Sequence, residues 1–579
     1  LLLAIVGLIG AIALPWYVVP SGFWKFAWVG QFGEANAAPL FVQALLHGRW
    51  QLLPIGLCLL IPLIEVFRRG GPRGTVIATA GGAGLFWMFA QGLLIGLKGW
   101  NASLFEQAFG PIAAQSGFGV GAVICGGVLL LIFSSGLALN GLMRGDGFLV
   151  SSIAVVASCI GVFVFYPVFL ILVESAVTPE GGYSVTAIFA RVFSTDVGHV
   201  TLNSLALGVA TGLATTLLGL GFALLHKRTN FRAKGLLRLL AILPIITPPF
   251  VIGLGIILLF GRNGVATWLM SELFGIPPSR WIYGFFGLLL VQTLAFAPIA
   301  YLVIIGVVEG ISPSMEEASQ TLRANRWQTF ANVTWPLMRP GLANAFLIGF
   351  VESLADFGNP LVLGGNFDVL STDIFFAIVG SQNDPGRAAA LSIALLALTL
   401  SAFYLQRRWL GRRSYTTIAG KGDSGLPAKL PDGVRRLIYM TAVPWLAFTV
   451  LLYGIILIGG FVKSLGIDNT LTFQHYITAI LAFNVPPIEI TGTGLILVIC
   501  FVFRNMPVSI RAGIAAMSQI DRSLDECSLM LRHGSFATIR RVILPLLRPA
   551  IIASLVYAFV RAITSVSAVI FLVSAQYNL

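Results

Sequence analysis

Charge is scarce in this chain. Only 10% of its 579 residues are Asp, Glu, Lys or Arg, against 57% hydrophobic ones, and the mean hydropathy is +0.91. That balance argues against a soluble domain and removes the usual relation between length and domain count. Cysteine pairs are missing too. None of the five cysteines (Cys58, Cys125, Cys159, Cys500, Cys527) forms a C-x-x-C, and four of them fall in apolar runs, so they read as small packing residues rather than disulfides. The five histidines show no H-x-x-x-H spacing or other metal-ligand pattern. No G-x-x-x-x-G-K-[ST] stretch is present, so the chain lacks the phosphate cradle with which to hydrolyse ATP by itself.

What is present is a series of about thirteen apolar runs of roughly 17–28 residues, each long enough to cross a ~30 Å hydrocarbon core as a helix. They lie near 1–19, 51–66, 74–97, 118–140, 148–173, 200–225, 237–260, 283–307, 342–365, 387–406, 437–462, 489–510 and 551–576. The expected fold is an all-α polytopic membrane protein. The sequence starts without Met inside an apolar run, so its first residue is not expected to be the gene's start. The net charge of +13 gathers in alternate loops: Arg68 to Arg73, His226 to Arg238, Arg323 to Arg339, Arg407 to Arg436 and Arg532 to Arg548. This is the positive-inside pattern, and it places those loops in the cytoplasm. Short basic loops separated by spans do not suit nucleic acid.

Two of the basic loops repeat each other. SMEEASQTLRANRWQTFANVTWPLMRP, from Ser314, returns without a gap as SLDECSLMLRHGSFATIRRVILPLLRP, from Ser523, at a constant offset of 209 residues (Glu317 on Glu526). Ser319 falls on Ser528, Arg323 on Arg532, Pro336 on Pro545 and Pro340 on Pro549. Ser314 with Glu317, and Ser523 with Glu526, match an S-x-x-E capping box. A short helix should follow and stop before Pro336 and Pro545, because proline disfavours the helical conformation in the residue ahead of it. On this reading the two glutamates cap helices.

The repeated stretch also resembles the E-A-A loop of binding-protein-dependent ABC importers, with Arg323 and Arg532 standing where most members have Gly and Cys527-Ser528 replacing Ala-Ala. In that family the loop forms a coupling helix that inserts into a cleft of the ATPase subunit. The resemblance implies ATPase-coupling roles for Glu316, Glu317, Ala318, Ser319, Arg323 and Pro336, and for Asp525, Glu526, Arg532 and Pro545.

The loops divide the chain. Residues 1–147 hold four expected spans that nothing later repeats, and read as an N-terminal transmembrane extension. A first permease half is expected over 148–406, a cytoplasmic linker over 407–436, and a second half in parallel topology over 437–579. Pro244, Pro248 and Pro249 should interrupt a helix in the first half. The second half is short. Tyr166 to Glu317 is 151 residues and Tyr453 to Glu526 only 73, a deficit of 78, or about two spans. The sequence is therefore expected to be an incomplete view of a longer protein, joined near 478/479 and lacking a last span.

Ionisable residues inside spans cost about 2.5–3.5 kcal/mol, which makes them candidates for function. Glu352 and Asp356 are spaced i, i+4 and should share a helix face. At the 209 offset Glu352 falls on Arg561, so the two could meet near the axis between the halves, either as a structural ion pair or as a polar station on a translocation pathway. ESLADFGNPLVLGG, together with two E-A-A-like loops in one polypeptide, resembles the fused permease of ferric-iron importers across roughly residues 148–579. Relatives of that group import phosphorylated sugars and phosphonates. Hard oxygen ligands suit a ferric ion, whereas Arg561 suits phosphate.

The resemblance implies a type I ABC importer permease in the bacterial cytoplasmic (inner) membrane. It has no cofactor of its own, and ATP and magnesium are bound by two copies of a separate ATP-binding subunit. A periplasmic substrate-binding protein would deliver the cargo. A proton-coupled secondary carrier accounts for the intramembrane carboxylates but not for the duplicated cytoplasmic helices.

Overall fold

The computed structural model describes residues 2–19, 26–34, 37–68, 73–96, 99–100, 103–111, 117–178, 182–380, 384–410, 428–464, 468–474, 494–517, 530 and 534–563. Among them, seven helices are long and apolar enough to cross a membrane: Val120–Leu139, Gly147–Ala176, Thr195–Arg228, Phe250–Phe274, Phe285–Glu309, Pro385–Arg408 and Asp432–Gly460. Leu2–Ala13, Trp50–Val66 and Leu370–Val379 are shorter apolar helices. The only strands among the described residues form two small antiparallel hairpins, Ile95–Gly96 with Gly99–Trp100 and Val462–Ser464 with Asp468–Leu471. The all-α membrane architecture therefore holds. The expected join near 478/479 lies outside the described residues.

The described residues fall into two compact units, one drawn from Leu1–Pro167 and Pro487–Ala558, the other from Val168–Pro486 and Phe559–Val573. The first has its core around Trp16, Leu52, Ile55, Leu59, Cys125 and Leu129, all fully buried. Lipid offers no hydrophobic drive for helices to associate, so small residues must let backbones approach. A Cβ on Gly136 would sit 2.3 Å from the backbone nitrogen of Ala78, which fixes how closely Val120–Leu139 lies on Gly74–Leu94.

The second unit is built on Thr195–Arg228, a helix of 34 residues uninterrupted by proline, about 51 Å long at 1.5 Å per residue. Ser194 caps it by accepting from the Val197 amide, and Lys227 and Arg228 meet the negative end of its dipole. It packs on Phe285–Glu309 and Trp335–Ala355. A Cβ on Gly219 would come within 2.8 Å of the Tyr301 backbone nitrogen. Leu224, Leu225, Tyr301, Met338, Ala345 and Ala442 close the core at this end.

Proline behaves unevenly. The helix Lys234–Ile246 ends before Thr247 and Pro248, and a new one starts at Pro249 and runs to Phe260. Pro244, expected to interrupt, is instead buried inside the first of these helices.

Candidate functional site

The first of the two repeated loops forms a nine-residue helix, Pro313–Thr321. Its N-cap is Ser312, with Pro313 opening the first turn. The expected Ser314–Glu317 capping box is not formed, because Pro313, with its preset φ, is suited to the first helical position and moves Ser314 inside. The Ser314 hydroxyl shares a 2.7 Å hydrogen bond with that of Ser312. A capping box does occur further on. The Asn325 side chain accepts from the Gln328 amide at 2.8 Å, and the Gln328 side chain accepts from the Asn325 amide at 2.9 Å.

Adjacent residues on a helix point about 100° apart, which separates the two glutamates. Glu317 is exposed, whereas the Glu316 side chain is 1% exposed. Its carboxylate accepts from the Arg228 guanidinium at 2.6 Å, from the Thr334 hydroxyl at 2.7 Å and from the Ala428 amide at 2.8 Å. Arg228 is itself only 3% exposed. One buried carboxylate thus ties the loop helix to the end of Thr195–Arg228, to the start of the next membrane helix and to the chain leaving the linker. Sequence reasoning passed over Arg228, which is one of several basic residues in HKRTNFRAKG. Its neighbour Lys227 pairs with Glu309 at the surface.

The loop helix ends in a left-handed residue. Arg323 has φ 63°, its amide donates to the Gln320 carbonyl at 2.9 Å, and the Ala324 amide donates to Ser319 at 3.2 Å. This is a Schellman motif, and it accounts for the glycine that the resembling family prefers here. Ser319 shares a 3.2 Å hydrogen bond with Thr329, and Ala318 is exposed. The polar loop also presents apolar side chains that the sequence reading did not single out: Leu322 is 84% exposed, Trp327 59% and Met315 50%.

The expected stop before Pro336 does not occur. Arg326–Thr329 runs through a π turn, Phe330–Thr334, straight into Trp335–Ala355, which contains Pro336 and Pro340. In the wide turn the Trp335 amide bonds back to Phe330. The extra residue shifts the hydrogen-bond ladder just where proline has no N–H to give, so the two irregularities offset each other.

In the second loop, Asp525, Glu526 and Arg532 lie outside the described residues. From Gly534 onward the backbone repeats the first copy at the same offset of 209: Ser535–Thr538, then a π turn Ile539–Ile543, then Leu544–Ile563 carrying an exposed Pro545. Ser535 donates to the Asp146 carboxylate, which also accepts from the Leu149 amide at 3.1 Å. The Ser535 hydrogen bond, followed by the Leu149 one, holds the Asp146 carboxyl below the usual aspartate range.

The intramembrane carboxylates are not arranged as expected. The helix ends at Ala355, and Asp356 is extended (φ −74°, ψ 117°) before the short helix Gly358–Leu363, so Glu352 and Asp356 do not share a face. Asp356 turns inward, where it accepts from Asn359 at 2.8 Å and Gln292 at 3.0 Å. Gln292 in turn accepts from Ser353 at 2.6 Å and Thr211 at 3.0 Å. All five side chains are buried, and the Asn359 side-chain oxygen Oδ1 has no partner among the described residues. Glu352 is half-buried. The side chain of Arg561 lies outside the described residues, although its helix continues to Ile563. Gln292, Asn359 and Thr211 escaped the sequence reading because neutral polar residues in spans carry no charge signal.

Residues 215–414 and 418–576 each match the family described as binding-protein-dependent transport system inner membrane component. Over 522 residues the chain is 38% identical to a putative ferric transport system permease protein, FbpB 1, of Haemophilus influenzae, covering 78% of this chain and 82% of the relative. It is 38% identical over 508 residues to the ferric transport system permease protein FbpB of Actinobacillus pleuropneumoniae, covering 75% and 73%. Among solved structures, a bacterial ABC transporter involved in the import of the acidic polysaccharide alginate is similar at 21% identity and TM-score 0.37, over 45% of this chain and 96% of that one. The chain belongs to the family of binding-protein-dependent transport system inner membrane components, as a multi-pass permease with two copies of the family domain fused in one polypeptide.

Proposed function

We propose that this permease moves ferric iron from a periplasmic binding protein into the cytoplasm, driven by ATP hydrolysed on two copies of a separate subunit. The observation that carries the cargo is the 38% identity to permeases named for ferric transport, spanning 82% and 73% of their length. Among the described residues no group of three His, Cys, Asp or Glu side chains could hold a metal ion. A conduit that must release its cargo is suited by weak stations rather than tight sites, and Asp356 with its two amide donors and Glu352 are the candidate stations.

Energy enters through the loop helices. Glu317, Ala318, Leu322 and Trp327 form the surface offered to the ATPase, with ATP and magnesium bound on the partner. Movement of Pro313–Thr321 is passed on through Glu316 to Arg228 and Thr334, and so to two membrane helices at once. From Thr334 to Ala355, the residue before Asp356, is 21 residues, about 32 Å of helix. The second loop, with Asp525, Glu526, Arg532 and Pro545, engages the second ATPase copy in the same way.

The test is uptake in proteoliposomes with the cognate binding protein and ATPase, comparing Fe³⁺ with sugar phosphates and phosphonates. Fe³⁺ uptake that needs ATP and is lost in the Glu317→Ala/Glu526→Ala double variant is expected. Uptake of a phosphorylated compound instead would replace the cargo while keeping the importer. Uptake by the permease alone, without the ATPase, would replace the ATP-driven mechanism with a carrier.

A further inference from the structure

Three helices of the first permease half, Thr195–Arg228, Trp335–Ala355 and Pro385–Leu410, enclose an apolar groove of about 1020 Å³. Its wall on the long helix is the stripe Val209, Leu213 and Leu217, spaced i, i+4, i+8 and 37%, 52% and 66% exposed. Phe346 and Phe350 close the far end. The near end is polar and basic. Arg339 lines it, is exposed, and makes no ion pair with any described residue. Gln406, also at this end, donates to Asn344 at 2.7 Å and holds the third helix in place. Arg407 and Arg408 stand exposed in the last turn of the same helix.

We propose that this groove is a binding site for an anionic phospholipid of the cytoplasmic leaflet, its acyl chains in the groove and its phosphate at Arg339. Two independent features point to this occupant. The first is length. Arg339 to Phe350 is 11 residues, a rise of about 16 Å, which matches one leaflet of a ~30 Å hydrocarbon core. A packed protein helix would need no such end point. The second is charge. A basic side chain between membrane helices on the cytoplasmic side complements a lipid head group, and Trp335, which lines the same end, is of the type that settles at the interface. Arg339 belongs to the same end of its helix as the loop Pro313–Thr321 and lies five residues beyond Thr334, whose hydroxyl is bonded to Glu316. A lipid seated there touches the segment through which the loop meets the membrane.

The experiment uses the full chain in phosphatidylethanolamine vesicles doped with equal amounts of photoactivatable phosphatidylglycerol and photoactivatable phosphatidylcholine, mapping crosslinks by mass spectrometry. Crosslinks to residues 335–350 and 398–406 should favour phosphatidylglycerol by about fivefold, corresponding to the ~1 kcal/mol of one basic residue at an anionic surface. Arg339→Gln should bring the two lipids to parity, and Arg339→Lys should keep the preference. Ala402→Trp, which fills the groove, should remove labelling by both. Equal labelling of the two lipids in the unaltered chain would overturn the proposal. So would absence of any label in the groove, which would mean that protein covers it.

Discussion

Glu316→Ala is the sharpest perturbation of the loop. The Arg228 and Glu316 side chains are 3% and 1% exposed at 2.6 Å, and removing the carboxylate strands a buried guanidinium, the Thr334 hydroxyl and the Ala428 amide together. Breaking one side of a buried pair costs about 3–5 kcal/mol. That loss should be local, since the pair anchors one short helix and the return of the linker rather than the membrane core. Native-state hydrogen exchange reads local opening directly. At about 1.4 kcal/mol per decade, amides of Pro313–Thr321 and Ala428 should exchange at least about a hundredfold faster in the variant. Glu317→Ala, one residue away and exposed, should change these rates less than about threefold, in line with surface substitutions of within ~0.5 kcal/mol. The double variant Arg228→Met/Glu316→Leu should recover much of the protection over Pro313–Thr321, because an apolar pair of similar volume leaves no stranded charge, but not that of the Ala428 amide, which still lacks its acceptor. Equal effects of Glu316→Ala and Glu317→Ala, or an unchanged rate at Ala428, would refute the anchoring role.

Other outcomes follow from the same geometry. Arg323→Gly should stabilise the end of the loop helix by about 0.5–1 kcal/mol, since φ 63° is strained for Arg and free for Gly; slower exchange at Ala324 is the readout. Asp356→Ala leaves the buried Gln292 and Asn359 amides without their acceptor, at about 1–3 kcal/mol each, while Asp356→Asn keeps an acceptor oxygen; thermal unfolding in detergent should fall clearly for the first and little for the second. Asp146 has its carboxyl held below the usual range, so the stability it contributes is present above the ordinary aspartate range near pH 4 and is lost as pH falls through its lowered value. Melting followed from pH 7 downward should show this acid-side loss in the natural chain and a weaker one in Asp146→Asn.

Much of this was legible because it rests on period and repetition. The offset of 209 survives as backbone, with Arg326–Thr329 and Phe330–Thr334 recurring as Ser535–Thr538 and Ile539–Ile543. What failed were competitions between neighbours. Ser314 and Glu317 have the spacing of a capping box, but Pro313 starts the helix one residue earlier and Ser312 takes the cap. Glu352 and Asp356 have helical spacing, but Asp356 finds amide donors in Asn359 and Gln292 and the helix stops. Arg228 looked like any basic residue of an inner loop, and only its burial distinguishes it from Lys227.

The π turns ahead of Pro336 and Pro545 set a phase. Each contributes one more residue than an α turn would, so everything below it is rotated by about 100° relative to an unbroken helix. Both copies carry the same advance at the same register. The described starts of the two helices, which differ in many residues, therefore carry the same angular advance. Losing a single residue from one wide turn would shift the phase of that helix alone, while the other copy kept its own.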